Sequence, residues 1–217
     1  MRSYLLLLRF VAFNVVALAL LAAAWLEGWA ALVLAADVTR ITSGIAVVFA
    51  AGWLFSAYRL MRCSRELNAA RDPELNEPSR ARWYRDLVAE ARPEGRAAIA
   101  DCLRARLYAR IAVVRTIANS LVILGLIGTV IGFIIALSGV DANAAVEVGA
   151  IGPMVSTLIK GMAVALYTTL VGAVFHVWLL VNYQVLATGT VNLANAIIER
   201  AEAPAYFGRL AAEARHA

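Results

Sequence analysis

Long runs of apolar residues, separated by shorter polar segments, dominate the chain. A helix needs about 20 mostly apolar residues to cross a bilayer. Four runs reach that length: about Tyr4 to Leu26, Ile41 to Met61, Ile117 to Val140, and one within Ile151 to Tyr183. The pattern predicts an all-α membrane protein with four transmembrane helices. The first run is longer than the apolar core of a signal peptide, about 7–15 residues, so we expect a retained span.

The fourth run is too long for one simple crossing. Its helix either projects well beyond the bilayer or breaks near Gly152-Pro153 or Lys160-Gly161.

Arginine is concentrated between the second and third runs, from Arg59 to Arg115, whereas residues 27–40 and 141–150 carry few positive charges. Lys and Arg accumulate in cytoplasmic loops. The asymmetry predicts that the basic segment and both chain termini are cytoplasmic. Short amphipathic helices are expected within this segment, one carrying Trp83, Leu87 and Val88. Its arginine-rich face suits either anionic lipid headgroups or a docking protein.

These features divide the chain into four predicted regions. Residues 1–61 hold the peripheral transmembrane helices one and two, and residues 62–110 form a small, basic, helical cytoplasmic region. Residues 111–186 hold the two long, pore-lining helices three and four. Residues 187–217 form a cytoplasmic C-terminal helix or tail, with Leu193, Ala194 and Ile197 on one side.

The composition agrees with lipid as the solvent for much of the chain. Hydrophobic residues make up 62% of the sequence and charged residues 16%, and the mean hydropathy is +0.74. The net charge is +5, and the predicted orientation of the chain in the membrane already explains where its arginines lie. We therefore expect no nucleic-acid partner. Cys63 and Cys102 lie in the basic segment, where a reducing compartment predicts free thiols.

Each of the last two spans contains a sequence motif that is rich in small residues and carries threonine. The third span contains GLIGTVIGF, and the fourth contains GMAVALYTTLVG. Small residues let helix backbones approach closely in a membrane. The predicted helix-packing residues are Gly125, Gly128, Gly132, Gly161, Ala165 and Gly172.

This ordered pair of words resembles the MotA/TolQ/ExbB proton-channel family over roughly Gly125 to Asn182. The first word is similar to that family's Gly-Leu-x-Gly-Thr-x-x-Gly segment, and the second to its Ala-Leu-x-Thr-Thr-x-x-Gly segment. The resemblance implies a multi-pass subunit of the bacterial inner membrane. It also implies a homo-pentameric ring around a dimer of a single-span partner, similar to MotB, ExbD or TolR, whose transmembrane Asp takes up and releases the ion.

By motif, the resemblance implies that Thr129 and Thr169, with Thr168 as their neighbour, face that aspartate along the ion pathway. Ion flow would then drive rotation, as in a stator. We expect no cofactor, only a translocated proton or sodium ion. Taken singly, each threonine would equally suit a hydroxyl bonded to its own helix.

The residues independently indicate a need for a partner. Spans three and four contain no Asp or Glu, although membrane proton relays commonly use carboxylates or histidines. His176 follows Thr169 by seven residues and falls on nearly the same helical face. It suits either a pore-side proton relay or a neutral histidine bonded to a neighbouring helix.

Two positions depart from the Ton- and Tol-type members of the family. Lys160 stands where those members have a proline, and Val164 stands at the position of their membrane glutamate. Lys160 is predicted near the outer mouth, where it either snorkels to headgroups or tunes ion entry.

The alternatives are a tetraspan scaffold or assembly protein without ion transport, and a membrane enzyme. The sequence shows no paired carboxylates, metal-ligand spacing, nucleophile triad or phosphate loop in or beside the spans, so we expect no enzymatic activity and no metal.

Overall fold

The computed structural model describes residues 4–36, 40–71, 79–92, 95–140 and 151–216. The predicted outer loop at 141–150 lies outside them. Within these residues the chain forms six helices. They are α1 (Tyr4–Leu26), α2 (Trp29–Ala36), α3 (Ile41–Arg71), α4 (Ser79–Glu90), α5 (Arg96–Ser138) and α6 (Ile151–His216).

Four helices, α1, α3, α5 and α6, are long and apolar enough to cross a membrane. In the most apolar window of each, only 17% to 33% of the residues are buried inside the chain. The remaining apolar surface needs lipid or other protein against it, because water would make its exposure costly. The chain is therefore a multi-pass membrane protein, as the four apolar runs predict.

Helix α2 was not expected from the sequence. Glycine ends α1, because Gly28 has a φ of 81° and its N–H donates to the carbonyl of Trp25 at 3.1 Å. That left-handed conformation suits glycine and closes a helix. The segment WAALVLAA then restarts as a short helix, so apolar helical structure continues into the segment after the first predicted span.

Helix α6 runs without a break for 66 residues, about 100 Å at the rise of an α-helix. Neither Gly152-Pro153 nor Lys160-Gly161 interrupts it, so the fourth span is a projecting helix. Pro153 lies in the first turn, where a missing N–H costs little. The predicted C-terminal helix around Leu193 is part of this same element. Helix α5 is 43 residues long and likewise exceeds a bilayer core of about 30 Å.

The contacts divide the chain into two units. The first comprises Met1–Val11, Ser56–Val113 and Tyr183–Ala217, and the second comprises Ala12–Phe55 and Val114–Asn182. All Lys and Arg residues except Arg40, Arg115 and Lys160 belong to the first unit. The second unit is thus the apolar, membrane-type part of the chain, and the first is the basic part.

The basic unit has a core of its own. Leu103 and Leu107 of α5 and Leu193 and Ile197 of α6 are all less than 5% exposed. Helix α4 buries Tyr84 and Val88, whereas Leu87 is 38% exposed. The inward face of α4 is therefore rotated from the one that the sequence suggested, because the bulky tyrosine fills the core.

In the apolar unit, α5 and α6 pack antiparallel through small residues. A side chain added at Gly125 would meet the Thr169 backbone at 3.3 Å, and one at Gly172 would meet Gly125 at 3.1 Å. The backbones are especially close around Gly132 and Gly161, which face each other. An added Cβ at Gly132 would lie 2.5 Å from the Ala165 nitrogen and 2.7 Å from the Gly161 oxygen, and one at Gly161 would clash with the Ala136 nitrogen. The six residues proposed for helix packing all lie in this contact.

Replacing Gly132 by alanine should separate the two helices, because the new methyl group would meet backbone atoms, which cannot rotate away. We expect Gly132→Ala to destabilise the protein by about 1–3 kcal/mol, the usual cost of overpacking. The unfolding midpoint in detergent measures this loss.

Gly44→Ala is the matched control, because an added Cβ there meets nothing within 4 Å. It should leave the midpoint unchanged or raise it slightly, since alanine favours helices more than glycine does. Equal effects of the two substitutions would contradict the packing interpretation.

Candidate functional site

The hydroxyls of Thr129 on α5 and Thr169 on α6 are in direct hydrogen-bond contact. Both also lie near the Gly125 carbonyl oxygen, at 3.2 Å from Thr129 and 3.3 Å from Thr169. The approach is possible because Gly125 has no side chain between the helices. Three oxygens from two helices therefore meet at one point of an otherwise apolar contact.

This group of oxygens, which we call the threonine pair, has spare acceptor capacity. Each hydroxyl supplies one hydrogen and two lone pairs, and a carbonyl only accepts. Two hydrogens cannot saturate three oxygens. Thr169 is exposed and Thr129 is half-buried, so a donor that approaches the outside of the chain can reach the pair.

Thr168 faces a different direction from Thr169, although the two are adjacent in sequence. Its side chain is 1% exposed, and its hydroxyl donates to the carbonyls of its own helix, at 2.9 Å to Val164 and 3.1 Å to Ala165. It packs against Gly128, where an added Cβ would clash with it. Thr168 thus lies between α5 and α6, away from the exposed oxygens.

The threonine pair lies on a face of α5 and α6 that the described residues of the chain leave uncovered. Leu126 and Phe133 on α5 are 62% and 52% exposed, and Leu166 on α6 is 69% exposed. These side chains surround the pair with apolar surface. A polar spot within a large exposed apolar face is typical of a surface that meets another protein inside a membrane.

His176 bridges the same two helices at a different level. Its Nδ1 lies 2.8 Å from the Ala118 carbonyl oxygen. Because a carbonyl accepts only, Nδ1 carries a hydrogen and donates. The arrangement matches the second interpretation of this residue, a histidine bonded to a neighbouring helix, and leaves Nε2 as its other polar atom.

Lys160 is exposed on α6. It lies nine residues after the start of the helix and nine residues before Thr169 of the threonine pair. Within the described residues, no group of three His, Cys, Asp or Glu side chains is placed to hold a metal ion.

The region that contains α5 and most of α6 matches a known protein family. The MotA/TolQ/ExbB proton channel family matches residues 90–198, which is half of the chain. The chain belongs to the MotA/TolQ/ExbB proton channel family. The matched region holds all of α5, the threonine pair and most of α6. No curated protein and no solved structure matched the chain.

A polar cluster, which the sequence interpretation missed, ties the family's helix α6 to segments that lie before the matched region. The Asn14 side-chain oxygen on α1 accepts from two indole N–H groups, Trp53 at 2.7 Å and Trp178 at 2.9 Å. Its amide nitrogen donates to the Asn182 oxygen at 2.8 Å. Indoles only donate, so they fix which way the Asn14 amide points.

We call these four residues the asparagine clasp. Asn14 is 4% exposed, and Asn182 is fully buried. The signal was present in the sequence, because Asn14 is a polar residue inside an apolar run, and such residues in membrane spans usually have a partner. The partners, however, lie on distant parts of the chain.

Replacing Asn14 by leucine should loosen α1, because the indole N–H groups of Trp53 and Trp178 and the Asn182 amide would lose their partner. An unsatisfied buried group costs about 1–3 kcal/mol, whereas hydrogen bonds between membrane helices average about 0.6 kcal/mol. We therefore expect a total loss of about 2 kcal/mol, measured as a lower unfolding midpoint in detergent.

Asn119→Leu is the control, because Asn119 is exposed on α5 and the same change should cost little there. A midpoint for Asn14→Leu equal to that of the control would show that the clasp does not stabilise the fold.

Proposed function

We propose that this chain is the ion-conducting subunit of a membrane motor, working with a single-span partner that carries a transmembrane Asp. The family places the chain among proton channels. The threonine pair is the observation that supports a role with such a partner. Its acceptor oxygens come from both α5 and α6, and they lie on an apolar face that the described residues leave uncovered.

The chemistry of the pair suits a borrowed acid. The sequence of spans three and four has no carboxylate, so if the chain conducts protons, the main titrating carboxylate comes from another chain. When the partner's Asp is protonated, its O–H can donate to a threonine oxygen. When it is ionised, the threonine hydroxyls and bound water can donate to it. The hydroxyls thus serve both states of the acid without carrying charge themselves.

The uncovered faces support an oligomer. Only 28% of the apolar window in α5 and 33% of that in α6 is buried within one chain. We propose a pentameric ring around a partner dimer, with the threonine pairs turned towards the central axis and α1 to α3 outside. Both termini and the basic unit would face the cytoplasm of a bacterial inner membrane, following the distribution of arginine.

In this mechanism the ion enters from the side of Lys160, is carried on the partner's Asp past successive threonine pairs, and leaves on the basic side. Each transfer favours a new alignment of Asp and ring, so that ion flow drives rotation. The oxygens suit a proton or a sodium ion alike, and no cofactor takes part.

Removing the hydroxyls of the threonine pair should slow ion flow without disturbing the fold, because valine has the shape of threonine. We expect proton flux in the Thr129→Val, Thr169→Val double variant to fall by about tenfold or more, since one hydrogen bond to the transferred group is worth about 1 kcal/mol and two are lost. Flux would be measured in proteoliposomes that contain the chain and its single-span partner.

Thr168→Val is the matched control, with the same chemical change one residue away. Because the Thr168 hydroxyl bonds only to its own helix among the described contacts, flux should stay within about twofold. Equal losses in the control and the double variant would place Thr168 on the ion pathway, as the family motif alone suggests. Normal flux in the double variant would overturn the proposed role of the pair, and an absence of flux in the wild type would favour a scaffold.

The hydrogen bond from His176 to the Ala118 carbonyl predicts that this histidine stabilises the packing of α6 on α5. His176→Ala should lower the unfolding midpoint, because it removes the bond to the Ala118 carbonyl, and should leave flux per assembled complex within about threefold. A complex that stays intact but loses most of its flux would instead support the proton-relay interpretation.

A further inference from the structure

A cleft in the basic unit brings four arginines together from three helices. Arg59 and Arg62 of α3, Arg80 of α4 and Arg110 of α5 line it, with Cys63 and Thr190 and a wall of leucine and isoleucine side chains. The free space is about 30 Å³, enough for about two water-sized oxygen atoms, so a bound anion would place about two of its oxygens there.

The charge around the cleft is far from balanced. The described residues that line it include no carboxylate. The neighbouring Glu66 forms ion pairs with Arg80 at 2.7 Å and with Arg62 at 3.3 Å. For Arg62, Arg80 and Arg110, this one carboxylate leaves a local excess of positive charge, which a bound anion would offset.

The arginines are close enough to influence one another. Burial lowers the pKa of Arg80, Glu66 opposes that change, and the positive charges of Arg110 and Arg62 lower the pKa further. Holding like charges together in a partly desolvated cleft is unfavourable unless a counter-charge is present. Planar guanidinium groups match the oxygens of a phosphate and bind it through paired hydrogen bonds.

Three of the four arginines, Arg59, Arg62 and Arg110, lie near the ends of the predicted apolar spans. Arg59 and Arg62 flank Met61, where the second predicted span ends. Arg110 precedes Ile117, the start of the third span, by seven residues, or about 10 Å along the helix. Long arginine side chains can reach back over that distance to the level of lipid headgroups.

The geometry points to a binding site for one phosphate group in this cleft, held by Arg59, Arg62, Arg80 and Arg110. The phosphate belongs either to an anionic phospholipid headgroup or to a soluble phosphate. Bound there, it would join α3, α4 and α5 by offsetting the repulsion between their arginines. The site is separate from the threonine pair and does not depend on ion conduction.

The test measures the thermal unfolding midpoint of the full-length protein in an uncharged detergent. One arm titrates short-chain phosphatidylglycerol against phosphatidylcholine, and the other titrates inorganic phosphate against chloride at constant ionic strength. We expect a saturable rise of the midpoint with a phosphate probe. A response to phosphatidylglycerol alone identifies the lipid source, and a response to inorganic phosphate identifies a soluble one.

Arg110→Gln is the principal variant, because Arg110 is exposed and its loss should not disturb folding. It should weaken the apparent affinity by about tenfold, and Arg59→Gln should do the same. Arg65→Gln is the matched control: it removes the same charge from α3, is exposed and lies outside the cleft. The affinity of the Arg65→Gln variant for the phosphate probe should stay within about twofold of the wild-type value.

Two results would overturn the site. One is equal weakening by Arg110→Gln and Arg65→Gln, which would show attraction to general surface charge. The other is the absence of any saturable response to either phosphate probe. Because binding is measured without a partner and without ion flow, failure here leaves the proposed channel function untouched.

Discussion

The close backbone contact between α5 and α6 is the constraint on which the candidate site depends. Helix axes can approach this closely only where side chains are small, and Gly125 and Gly132 of α5 and Gly161 of α6 supply that condition along the contact. The same approach brings the hydroxyls of Thr129 and Thr169 together beside a carbonyl oxygen. In a membrane, where burial of apolar surface does not draw helices together, such packing and the hydrogen bonds it permits are the main source of association.

A second set of contacts fixes the surroundings of that pair. The asparagine clasp connects α1 and α3 to α6, and Phe49 of α3 stacks on Phe175 of α6 with ring centroids 4.3 Å apart. Gly52 of α3 lies against Ile117 and Leu179. Polar bonds with fixed partners, aromatic stacking and a further close approach thus set the rotation of α6, and with it the direction in which Thr169 points.

Much of this architecture could be predicted from the sequence, because the bilayer imposes a length on apolar runs and small residues reveal helix contacts. The four spans and the packing of the two motif words follow from those rules. The directions of neighbouring threonines do not. Thr168 and Thr169 are adjacent and chemically identical, and only the position of α5 decides that one is buried and the other exposed.

The remaining differences have similar causes. The short helix α2 depends on a positive φ at Gly28, a local conformation that composition alone does not reveal. Tyr84 replaces Leu87 in the core of the basic unit because tertiary packing overrode the apparent apolar stripe of α4. Asn14 was visible as a polar residue in an apolar run, but its three partners are distant in sequence.

The chemical nature of the threonine pair has a consequence for how transport would respond to acidity. Alcohol and amide oxygens neither gain nor lose charge anywhere in the range in which cells live. The charge on the oxygens of the threonine pair is therefore constant from mildly acid to mildly alkaline conditions. In the proposed motor, a threshold of acidity set at the threonine pair would therefore come from the partner's Asp, and exchanging the partner would shift that threshold while this subunit stayed the same.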